Sequence, residues 1–108
     1  MKEIVECYKV DTINLQRNDG FWLNEGRLIL RSVNVGELVE DRYQSAYAEA
    51  RFSLNEADTK NMMLLLDADG DSLAYRLKQH FDGAAVLDRF KRFCDQNQLK
   101  YEYVFITG

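Results

Sequence analysis

A chain of 108 residues with 46% hydrophobic and 30% charged side chains has the size and make-up of one folded domain, residues 1–108, that needs neither disulfides nor a structural metal. Eighteen acids against fourteen bases give a formal charge of −4, which withholds the basic footprint that nucleic acid or an anionic membrane surface selects. One histidine, two cysteines and no proline leave few of the side chains that usually perform chemistry, so binding is expected rather than catalysis.

Residues 3–15 (EIVECYKVDTINL) are rich in β-branched and aromatic types and predict a long first strand. Ile4, Val5, Cys7, Tyr8 and Val10 fall on both of its faces, which points to a bulge or to burial on two sides. Asn18-Asp19-Gly20 reads as a turn, after which strands over 21–24 and 27–34 join around Asn24-Glu25-Gly26. The first third is thus a β-meander. Residues 37–51 fit two periods. Leu38, Val39, Tyr43, Ala46, Tyr47 and Ala50 follow helical spacing, whereas Tyr43, Ser45, Tyr47, Glu49 and Arg51 alternate with Gln44, Ala46, Ala48, Ala50 and Phe52. A strand over 43–52 is favoured, because a helix ending at Arg51 leaves almost no room for a turn before the next element.

Ser53-Leu54-Asn55-Glu56 matches a capping box and opens a helix that runs to Leu66, with Met62, Met63, Leu65 and Leu66 on its buried face. Asp67-Ala68-Asp69-Gly70 breaks it. Asp71 or Ser72 then caps a second helix over 72–81 carrying Leu73, Leu77 and Phe81. A third helix over 84–97 directs Val86, Leu87, Phe90, Phe93 and Cys94 inward and Arg89, Lys91, Arg92 and Asp95 outward, with Asn97 as a left-handed C-cap. The final KYEYVFIT is a strand apolar on both sides, expected inside the sheet or at a dimer seam. The fold class is α+β: an N-terminal antiparallel meander of three or four strands, three helices on one face, and a C-terminal strand that joins the sheet.

No cofactor, metal-ligand set or catalytic constellation is assigned. The carboxylates of Asp67, Asp69 and Asp71 alternate as in an EF-hand loop, but Ser72 stands where the sharp turn needs glycine and Lys78 where a bidentate glutamate closes the site. An interhelical turn is the better reading. His80, near a helix C-terminus, suits a surface position. Cys7 and Cys94 lack metal or redox spacing and are expected as reduced, buried thiols. Gly20-Phe21-Trp22-Leu23 followed by Arg27-Leu28-Ile29-Leu30 resembles the strand-turn-strand pattern of GRAM and other PH-like domains. That family implies a longer series of strands ending in one helix, and a phosphoinositide ligand for which this chain has no basic cluster.

The MKEIVE start has no apolar leader, and no run approaches the ~20 apolar residues that span a bilayer, so a cytoplasmic location is expected. The leading expectation is a small interaction module that covers a surface of a protein partner, as an immunity or inhibitor protein does, with a homodimer as a further option. Trp22 is a candidate interface residue, and Glu37, Glu40 and Asp41, with Asp67, Asp69 and Asp71, form acidic patches that would steer it to a basic partner. The alternative is a small-ligand domain or enzyme with a pocket between helices and sheet near His80.

Overall fold

Three runs of β-branched and aromatic residues, separated by short turns, lay down the first strands in the computed structural model, which describes residues 1–108. The chain order is β1 (Lys2–Asp11), β2 (Gln16–Asn24), β3 (Arg27–Val35), α1 (Glu37–Tyr43), β4 (Tyr47–Leu54), α2 (Glu56–Leu65), α3 (Leu73–Phe81), α4 (Val86–Gln96) and β5 (Tyr101–Thr107). The strands form one antiparallel sheet in the order β1-β2-β3-β4-β5, an α+β architecture. Glu25 and Gly26 both take positive φ, as a two-residue hairpin turn between β2 and β3 requires.

The two faces of the sheet differ. Phe21, Leu30, Phe52 and Tyr103 share one rung of the helix-covered face, with Leu28 and Leu54 on the next. Met62, Leu66, Leu73, Leu77, Phe81, Val86, Phe90 and Cys94 descend on them from α2, α3 and α4 to make one core. Phe90 is its hub, 5.5 Å from Phe21, 5.6 Å from Phe81 and 6.0 Å from Phe52 between ring centroids. α1 lies over the far end of this face, where Val39 is buried. No helix covers the other face.

Several expectations change. The first strand ends at Asp11, not at residue 15, because Thr12–Leu15 closes a tight turn in which the Thr12 hydroxyl donates to the Leu15 carbonyl and accepts from the Leu15 amide, both at 3.1 Å. Asn18-Asp19-Gly20 is not a turn but the middle of β2, since the Asp19 carboxylate is neutralised there by Arg17. Gly20 is needed for closeness: a Cβ would stand 2.8 Å from the Val5 carbonyl, where β1 shifts register in its expected bulge. The ambiguous 37–51 segment divides into α1 and then β4. Both periods were present, and Gln44 in the left-handed region separates them.

Ser53 belongs to β4, and the α2 cap is Asn55, whose side chain accepts from the Asp58 amide at 2.7 Å. Leu65 is exposed; Met62 and Leu66 supply the buried face of α2. Neither Asp71 nor Ser72 caps α3 with its side chain. The Asp69 carboxylate instead organises the turn before the helix, accepting from the amides of Asp71 and Ser72. The left-handed residue after α4 is Gln98 rather than Asn97. The helices number four rather than three, and β5 joins β4 at the sheet edge instead of entering its interior.

Candidate functional site

The two edges of the sheet are built differently. β1 carries Lys2, Glu3, Glu6, Lys9 and Asp11 and shifts register twice, which are the usual guards of an edge strand. Two of its carbonyls, at the second register shift, are also occupied: Lys78 Nζ donates to Glu6 O at 3.1 Å and the Gly83 amide to Cys7 O at 3.0 Å. β5 has one charged residue, Glu102, and pairs with β4 in unbroken register. None of the hydrogen bonds outside the sheet reaches the backbone of Tyr101–Thr107. Tyr103, Val104 and Phe105 remain 53%, 46% and 43% exposed.

Beside β5, on the helix-bearing face, lies an open recess of about 410 Å³. Its floor exists because the rungs beyond Phe52 carry small side chains: Ser32 beside Ala50, then Asn34 beside Ala48. Leu38, Val39 and Tyr43 of α1 wall one side, Leu87 of α4 and the β5 aromatics the others. Arg17 and Arg42 border it as well. The Arg17 guanidinium grips the fully buried Asp19 with Nη2–Oδ2 at 2.6 Å and Nε–Oδ1 at 3.1 Å, and this pairing holds its pKa above the ordinary arginine value.

The uncovered face centres on Glu49, whose side chain is only 2% exposed. Arg31 Nη2 reaches its Oε1 at 2.9 Å, Arg51 Nη2 its Oε2 at 2.6 Å, and the Tyr47 hydroxyl donates to Oε1. Burial pushes the Glu49 carboxyl up, but donation by Arg31, Tyr47 and Arg51 more than reverses this and leaves it at about 2. Trp22 is half-buried on the same face, its ring centroid 5.1 Å from Arg31 Cζ.

The anticipated site residues do not converge. Glu37, Glu40 and Asp41 are exposed on α1, which the Leu38 amide ties to Asn14 beside the β1–β2 turn. Asp67, Asp69 and Asp71 lie on the α2–α3 loop, where Gly70 shares a cleft with Lys2 at the opposite end of β1. Asp69 is occupied by the Ser72 and Asp71 amides, which lower its pKa. His80 is exposed against Phe81 and Phe93, away from the cavity anticipated beside it. Cys7 and Cys94 are buried and free, and burial pushes their thiols up to about 11 and about 12.

Sequence reasoning missed Ser32, Asn34, Ala48 and Ala50. The sign was available in small residues at alternate positions of strands whose other core-facing positions are Leu and Phe. No helix is long and apolar enough to cross a membrane. No protein-family model, curated protein or solved structure matches the chain.

Proposed function

We propose that the protein is a non-catalytic interaction module, of the kind an immunity or inhibitor protein represents, that receives an extended apolar segment of a protein partner on β5. The observation that carries this reading is the inequality of the two edges: β1 is charged, bulged and capped, while β5 offers free backbone groups between apolar side chains on both faces. Strand addition draws affinity from main-chain hydrogen bonds and specificity from alternate side chains. Tyr103 and Phe105 would meet the partner on one face, Val104 and Ile106 on the other. The acidic groups of α1 stand apart and would act on the association rate rather than the contact.

The test compares wild type, Val104→Glu, Trp22→Ala and a Glu37/Glu40/Asp41→Lys reversal in capture from host lysate, followed by hydrogen exchange of the recovered complex. Val104 faces Arg51 across the rung, so a glutamate there keeps an ion-pair partner within the fold while charging the edge. A partner lost with Val104→Glu and protecting the amides of Tyr101–Thr107 is the expected result. A partner that persists in Val104→Glu but is lost in the reversal overturns it. So does a chain that sediments as a dimer dispersed by Val104→Glu, since a second copy is then the occupant.

A further inference from the structure

The cavity between α1, α4 and β5 is a built recess, not a packing fault. Small side chains make its floor by register, since Ser32, Ala50, Asn34 and Ala48 succeed the filled Phe21–Leu30–Phe52 rung. At about 410 Å³ it falls within the range that holds small organic ligands, roughly 300–1,000 Å³. Tyr43 and Phe105, whose rings stand 5.1 Å apart, border its open side.

The polar groups that reach the recess are chiefly donors. Ser32 is 1% exposed and accepts from Asn34 Nδ2 at 3.2 Å, so it belongs to the floor and leaves the arginines as the groups a ligand can reach. Arg17 uses Nε and Nη2 on Asp19 and on the Ala84 carbonyl at 3.3 Å, leaving Nη1 without a partner. Arg42 adds a second cation at the mouth, its Cζ 5.4 Å from the Tyr43 ring centroid. No acid lines the recess itself: Asp19 is bonded by Arg17, and Glu37, Glu40 and Asp41 of α1 and Asp88 of α4 stand outside its lining.

We infer that this recess binds a small carboxylate with an aromatic or branched aliphatic body, the body lying between Leu38, Leu87 and the Tyr43–Phe105 pair and the carboxylate meeting Arg17 Nη1 and Arg42. The inference stands on the recess alone and does not require a protein partner at β5.

The probe is 3-phenylpropionate, titrated into the isotope-labelled full chain and followed by backbone amide shifts, with 3-phenylpropionamide as the neutral match. A ligand of that size in a partly open site is expected to saturate with a Kd on the order of 1 mM, shifting Ser32, Asn34, Ala48, Ala50 and Phe105. The amide should bind about 5-fold or more weakly, and Arg42→Met, at an exposed position, should weaken the carboxylate about 3- to 10-fold. Ala50→Leu, which adds bulk to the floor of the recess, should abolish binding, whereas Val104→Glu should leave it unchanged. Absence of saturation by about 20 mM, equal binding of acid and amide, or shifts that map elsewhere would each overturn the inference. So would occupation of the recess by a second copy, seen as a dimer that Ala50→Leu disperses.

Discussion

Replacing Glu49 by glutamine is the sharpest test of how the uncovered face is held. Arg31 and Arg51 lie directly opposite each other in the β3–β4 register, an arrangement that repels unless a counter-charge intervenes. Glu49, one rung away, bonds both guanidiniums and is 2% exposed. Its carboxyl falls from 4.5 to about 2, which at ~1.4 kcal/mol per tenfold corresponds to about 3 kcal/mol of stability at neutral pH. Arg31 and Arg51 keep 19% and 33% of their side-chain surface in solvent, so screening reduces this to about 2 kcal/mol. Because the folded-state pKa lies below the unfolded one, the contribution is complete above about 4.5 and is lost as pH falls toward about 2. Urea unfolding of Glu49→Gln at pH 7 should show a deficit of about 2 kcal/mol, with a melting temperature lower by about 10 °C. At pH 3 the deficit should shrink to less than about half, since the unfolded chain's carboxyl is by then protonated and more than half of the contribution is gone. A deficit under about 0.5 kcal/mol at pH 7, or one unchanged at pH 3, would show that the Arg31–Glu49–Arg51 cluster does not hold the strands as argued.

Two further substitution and labelling experiments follow from buried groups. Arg17→Met leaves the fully buried Asp19 without its cation and should cost about 3–5 kcal/mol in denaturant titration, while adding Asp19→Leu should recover most of it; a single variant as stable as wild type contradicts the pairing. Cys7 and Cys94 should react with a thiol reagent only as fast as the chain opens, and prompt labelling of the native protein at pH 8 would contradict their burial. With folded-state thiols at about 11 and about 12 against 9.0 for the free group, the unfolded chain ionises first, so stability should decline as pH rises through about 9.

The order of strands then helices was legible because local propensity and burial agree there: Leu73, Leu77 and Phe81, or Val86, Phe90 and Cys94, are spaced for one helix face and occupy it. The errors fall where a tertiary partner outweighed a local preference. Asn18-Asp19-Gly20 has the composition of a turn, but Arg17 on the same strand neutralises Asp19 and the bulge of β1 needs Gly20. Ser53-Leu54-Asn55-Glu56 has capping-box spacing, yet Leu54 is drawn into β4 by its buried place in the core, and the cap moves to Asn55. Of the site, only single residues could be read. The recess depends on which small residues become cross-strand neighbours, and the acidic groups turned out at opposite ends of the strands because register and helix placement, not sequence proximity, decide what converges.

The same topology predicts that β5 opens separately from the rest of the sheet. β2 and β3 are joined by a two-residue turn and β1 and β2 by Thr12–Leu15, whereas β4 reaches β5 only through the helices of residues 55–100. Closing the longer connection costs more entropy, and no hairpin holds the pair in register. β5 is instead positioned by its approach: Leu99 is buried and its amide bonds the Cys94 carbonyl at 2.9 Å, and the Lys100 amide bonds Asp58 at 3.1 Å. Beyond that anchor, the strand is held by Tyr101 and Tyr103 on Phe52, by Phe105 on Tyr43 and by the Ser45 hydroxyl donating to the Gly108 carbonyl at 2.8 Å, with its outer edge free. Native-state hydrogen exchange should therefore show the amides joining β4 to β5 opening at a lower free energy than those joining β2 to β3. Equal free energies across the sheet would mean that β5 leaves only on global unfolding, and that its exposed side chains hold it as firmly as a covered strand. An edge that opens early is also the one whose protection a bound strand raises most, so this measurement on the isolated chain sets the baseline against which occupancy of β5 is read.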